Sequence, residues 1–274
     1  MKRTTRFLLS RNMLGILLVA SVALPALFAP WLTGGDVGNV VGAPWSEVNH
    51  KWPLGLDNLG RDMLFRLFWS ARISLLVSVL ATGLAFFLGA GGGMFVALRG
   101  GWIESVGNRV VDLAMALPPL IFALVVLSIA GSSIFVLTLT VALLSATRFY
   151  RVARPLAAGI VVLDYFEAAH ARKESAWWLT LFEILPNMLQ PLLAQCGLQL
   201  CSAILLVASL GFLGFGLAPP LTDLGAVVRE NAPALGFGIV APLFPAGVIA
   251  LFVAGVNILV DATNLDRVTT RGAE

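Results

Sequence analysis

Residues 73–98, ISLLVSVLATGLAFFLGAGGGMFVAL, run for 26 positions without a charge. A helix of about 20 apolar residues covers the roughly 30 Å hydrocarbon core of a bilayer, so this segment is long enough to cross one. Working outward, further uncharged runs occupy 12–35, 113–147, 184–222 and 231–260. Charged residues make up 12% of the 274-residue chain and hydrophobic residues 58%, where a soluble domain carries about 25% charge. A water-soluble globule is excluded, and the pattern predicts an all-α polytopic membrane protein surrounded by lipid. The net charge of +3 is too small for a nucleic-acid footprint, and no nucleic-acid partner is expected.

Six spans are predicted, at 13–32, 73–98, 108–130 (carrying Pro118-Pro119), 134–150, 184–210 and 233–260. The basic residues before the first span resemble a signal peptide's charged region, but the uncharged stretch is long enough to span, so an uncleaved helix is expected. Between spans, 33–72 reads as a polar connection, 151–183 as the most polar internal segment and 211–220 as a loop or re-entrant piece. The chain divides into 1–71 (first span and connection), a core at 72–262 and a tail at 263–274. With both termini inside, 13 of the 18 basic residues face the cytoplasm, the arrangement that the positive-inside rule favours.

The chemistry that self-powered transporters and enzymes need is sparse in this sequence. A proton- or ion-coupled carrier keeps ionisable side chains within its helices; Asp112 and Asp261 are the candidates, and both read as charges at membrane boundaries. No GxxxxGK[ST], G-x-S-x-G or H-E-x-x-H motif occurs, and no metal-ligand set is expected. Cys196 and Cys201, five residues apart, point about 140° away from each other on a helix and read as packing residues. The Gly-rich 89–93 stretch reads as close helix packing. Gln195 and Gln199 share one helix face, which must turn into the bundle because lipid cannot satisfy an amide. They serve either as a helix–helix hydrogen bond or as lining of a pathway.

Three motifs add a resemblance. Glu167-Ala168-Ala169-His170-Ala171-Arg172-Lys173, followed by Leu185-Pro186, resembles the EAA loop of binding-protein-dependent ABC permeases, with Lys173 at the usual Gly position and Glu183 at the usual Ile. The segment 52–62, WPLGLDNLGRD, with Ala71-Arg72-Ile73-Ser74-Leu75, is similar to a signature of the second permease subunit of dipeptide, oligopeptide and nickel importers. Residues 209–216, SLGFLGFG, with Pro219-Pro220, give a third match.

The resemblance implies a type I ABC importer permease fold with both termini inside. It implies a coupling surface for an ATPase made by Glu167, Ala168, Ala169, His170, Arg172, Lys173, Leu185 and Pro186. It also implies a second permease subunit, cytoplasmic ABC ATPases that hold the ATP and magnesium, and an extracytoplasmic solute-binding protein. This chain would then be a non-catalytic conduit with no cofactor or metal of its own, in a bacterial inner membrane. Its solute would be a peptide, nickel or a metal chelate. Lys173 is not expected to take over the tight turn of the Gly. The alternatives are a self-sufficient secondary transporter or channel, and a membrane-embedded enzyme.

Overall fold

The computed structural model describes residues 2–34, 38–218 and 220–271, without the side chains of 2–11, 170 and 263–271. His170 and the tail from 263 thus lie, as side chains, outside the described residues, as does Pro219. The described elements are helical: α1 (Lys2–Leu32), α2 (Met63–Ala85), α3 (Gly91–Arg99), α4 (Gly101–Ala116), α5 (Pro119–Ala130), α6 (Ile134–Val161), α7 (Asp164–Ala171), α8 (Ala176–Trp178), α9 (Leu185–Phe212), α10 (Leu224–Asn231) and α11 (Leu243–Arg271). A π-helical turn joins α2 to α3 and another joins α8 to α9, making single long helices over Met63–Arg99 and Ala176–Phe212. Five helices are long and apolar enough to cross a membrane, and six if α4 and α5 count as one bent span.

Several span limits differ from the sequence reading, each for a local reason. Pro119 has no N–H and forces its neighbour out of the α region; Pro118 is extended at ψ 125°, so the third span breaks into α4 and α5 at an 85° bend. The second begins ten residues early, because Asp62 caps α2 by accepting from the N–H groups of Leu64 (2.9 Å) and Phe65 (3.4 Å). The fourth runs past Tyr150 to Val161, which puts Arg148, Arg151 and Arg154 inside a helix. The sixth starts at Leu243 rather than 233: residues 232–237 form a 3₁₀ turn stopped by Gly238 in the left-handed region (φ 74°). The fifth is entered eight residues earlier, at Ala176.

α1 and α11 pack antiparallel, with Gly15 against Leu259 and Gly255 against Leu18 and Val19. The start of α1 and the end of α11 therefore sit at one end of the bundle, the terminal end, together with α7; the 38–62 loop and α10 sit at the opposite, loop end. The 89–93 glycines do allow close packing where it matters. A Cβ at Gly89 would overlap the Ala146 carbonyl, and one at Gly93 would press on Ala153 and the Arg154 backbone, while Gly91 faces open space. The core lies where α2, α6 and α9 meet, around Val77, Ala81, Leu137, Val141, Ala203, Val207 and Leu210. A second cluster, Ala153, Ala157, Ile160, Ile184, Met188 and Leu192, fills the terminal end. α4 has no buried residue.

Candidate functional site

The segment expected to couple to an ATPase is built on that second cluster. Phe166 and Ala169 of α7 are buried in it, so the helix lies flat across the terminal end with Glu167 and Ala168 facing outward. A turn brings the chain back: Arg172 lies 3.8 Å from both Glu174 and Glu183, and Ser175 caps the next helical turn by accepting from the Trp178 N–H (3.2 Å). Arg172 is exposed, Leu185 half-buried and Pro186 exposed at the start of α9. Trp177 is exposed, and Trp178 stacks on Phe182 at 5.4 Å.

Both departures from the EAA pattern acquire a physical account. Lys173 has φ 61°, the left-handed conformation that Gly adopts without cost. The turn is therefore kept, contrary to the sequence expectation, at an expense of about 1–2 kcal/mol for a residue with a Cβ. Glu183 is replaced as the core residue by Ile184, which is fully buried. The π-helical turn at Leu179–Ile184 holds one residue more than an α turn and rotates the apolar position by one place.

At the loop end the 52–62 motif makes a buried ion cluster. Asp57 is fully buried; one carboxylate oxygen accepts from the N–H groups of Leu59 and Arg61 (both 2.8 Å), the other from Arg61 Nε (2.7 Å) and Arg66 Nη1 (2.6 Å). Burial by itself would raise this carboxyl, but the N–H bonds from Arg61 and Leu59 and the Arg66 guanidinium outweigh it and hold it below the usual carboxylate value. Arg66 also donates to Glu230 of α10 at 2.8 Å. Beside it, the buried Asn231 side chain accepts from the Asn58 N–H (3.0 Å) and from Trp45 Nε1 (3.3 Å). Loop, α2 and α10 are thus tied at one point. Asp223 caps α10 by accepting from the Ala226 N–H (2.9 Å), and its burial pushes its carboxyl up. The sequence reading took Asp57, Asn58, Arg61 and Arg66 as parts of a family signature and read no ion cluster from them.

Within the bundle, α4 meets α6 through polar rungs: Glu104 with Arg154 (Nε at 2.7 Å), Asn108 with the Tyr150 hydroxyl (2.9 Å) and Asp112 with Arg151 (2.7 Å). Asp112 is therefore a partner within a seam and not a lone boundary charge. Gln199 is buried and its amide oxygen faces Arg148 Nη1 at 3.5 Å; Gln195, one turn away, is half-buried. Arg148 is an embedded cation that the sequence reading assigned to a helix end.

Residues 89–264 match the family described as binding-protein-dependent transport system inner membrane component. The dipeptide transport system permease protein of Alkalihalophilus pseudofirmus is 30% identical over 252 residues, covering 90% of this chain and 82% of that protein. The corresponding protein of Haemophilus influenzae is 30% identical over 225 residues (80% and 76%). The glutathione transport system permease protein of Pectobacterium atrosepticum is 29% identical over 208 residues (76% and 69%). With its apolar helices and its coupling motif, the chain belongs to the binding-protein-dependent transport system inner membrane components, the multi-pass permeases of bacterial ABC importers.

Proposed function

We propose that this chain is one of two permease subunits of an ATP-driven importer that carries short peptides handed over by an extracytoplasmic binding protein. The observation that supports it best is α7, seated by Phe166 and Ala169 with Glu167 and Ala168 presented outward. A small, flat helix with two exposed acidic side chains, Asp164 and Glu167, suits a groove lined by basic groups on a partner ATPase, and the terminal end would then be cytoplasmic. The names of the relatives, dipeptide and glutathione permeases, favour peptides over nickel or metal chelates. A push on α7 reaches α6 through the short 162–163 connection and α9 through the shared cluster. Those two helices also carry Arg148 and Gln199. The permease itself hydrolyses nothing; it converts motion of its partners into a change of helix tilt between two states a few kcal/mol apart.

The test is purification of the tagged chain from its own membrane in mild detergent, before and after Glu167→Arg. The wild type should bring down an ATPase and a second permease. The variant should reach the same abundance, keep the second permease, lose the ATPase and stop peptide uptake. Undiminished uptake removes the coupling role of Glu167. A wild-type chain that purifies alone and moves solute down an ion gradient replaces the importer with a secondary transporter.

A further inference from the structure

Three arginines lie three residues apart on α6: Arg154, Arg151 and Arg148. The first two are neutralised by Glu104 and Asp112 of α4. Glu104, Asn108 and Asp112 follow a four-residue spacing, and the next rung falls at Met115 and Ala116, which carry no charge. Arg148, about 9 Å deeper than Arg154 at 1.5 Å per residue, is left over. Among the described residues it has no carboxylate within ion-pair distance; its partner is the Gln199 amide at 3.5 Å. Both positions fall well inside their helices, residue 15 of the 28 in α6 and residue 24 of the 37 in the long helix Ala176–Phe212.

A guanidinium at such depth is costly without an anion, and packing alone would be served by an uncharged residue. Arg148 is half-buried rather than sealed, and so is Gln195 one turn along α9. The group therefore opens to one side of the α6–α9 pair instead of closing on itself. A guanidinium fork flanked by amide donors matches a single carboxylate, which it can hold by two parallel hydrogen bonds. Building on the peptide-importer reading, we propose that Arg148, assisted by Gln199 and Gln195, receives the carboxylate of a peptide in transit at mid-depth of the bundle. The amides offer hydrogen bonds but no second charge, so the grip is firm enough to select a singly charged acid and weak enough to release it.

The experiment uses the complete importer in lipid vesicles with its binding protein and a radiolabelled tripeptide, and reads peptide moved per ATP hydrolysed. Arg148→Gln should lower that ratio about tenfold, the worth of a charge-assisted hydrogen bond, with binding-protein-stimulated ATP hydrolysis unchanged. Arg148→Lys should recover most of it. The same tripeptide as its C-terminal amide should show little difference between wild type and Arg148→Gln, because the substitution leaves the binding protein's own choice untouched and the ratio cancels it. Uptake and hydrolysis falling together would make Arg148 a structural residue and overturn the proposal, as would an equal loss for acid and amide. An unchanged ratio would take Arg148 out of the pathway. Loss of the second permease from the Arg148→Gln complex would assign its counter-ion to that subunit and overturn the proposal too. Wild-type vesicles that hydrolyse ATP but move no tripeptide would defeat the peptide reading, a result distinct from all of these.

Discussion

At the loop end, Asp57 and Arg66 are sealed from solvent and each oxygen of Asp57 holds two hydrogen bonds; toward the terminal end, Arg151 and Asp112 are each more than half exposed, and Arg172 reaches its acidic neighbours only at 3.8 Å. Exposed pairs contribute about 0–1 kcal/mol. Removing one partner of a buried pair leaves an uncompensated charge and costs about 3–5 kcal/mol. The same residue types thus do different things. One end is locked by its charges, while the charges toward the other are exposed and only loosely paired.

The largest test of that contrast is Asp57→Ala, which leaves buried Arg66 with Glu230 as its remaining counter-ion and the Leu59 and Arg61 N–H groups unpaired and should destabilise the chain by about 3 kcal/mol, read as thermal unfolding in detergent. Asp112→Asn should stay within about 0.5 kcal/mol; equal losses from the two would erase the difference between the ends. Acid gives a second reading. The Asp57 carboxyl is held below its ordinary value, so its contribution is complete above the usual carboxylate range and disappears as pH falls through the lower, native value. Asp57→Asn should therefore flatten the acid limb of a stability–pH curve, and a limb left unchanged would move the acid sensitivity elsewhere.

Smaller effects sharpen the picture. Gly225→Ala would drive a Cβ into the Ala208 carbonyl where α10 meets α9, an overpacking expected to cost about 1–3 kcal/mol in the same unfolding measurement. Lys173→Gly should act in the opposite sense at the other end. It relieves the left-handed strain at φ 61° and adds unfolded-chain entropy, for a net gain of about 0.5–1 kcal/mol, with peptide uptake retained. A net loss would mean that the Lys173 side chain makes a contact worth more than the strain.

The spans were legible because uncharged runs are what a bilayer demands, and the family because Glu-Ala-Ala and Leu-Pro keep their spacing. What escaped came from using charge as a boundary marker. Ending the fourth span near Arg148 hid the arginine in the middle of α6, though the spacing of 148, 151 and 154 puts all three toward one side of a helix. Pro118-Pro119 was read as a feature within a span, yet a residue before proline is already pushed out of the helical region. The Asp57 cluster needed Glu230, which lies 173 positions further along the chain, and no local pattern links the two. Lys173 misled because residue type suggests a conformation but the surrounding chain can impose it.

The knot of Asp57, Arg66 and Glu230 has a mechanical corollary. It fixes the start of α2, on which α6 packs, so the loop end serves as the fulcrum for a lever of 28 residues, about 42 Å long at 1.5 Å per residue. A tilt of about 10° about that fulcrum carries the α7 end roughly 7 Å and Arg148, halfway along, roughly 4 Å. Such a tilt would be geared at nearly two to one: a stroke of about 7 Å at the α7 end would become one of about 4 Å at the arginine.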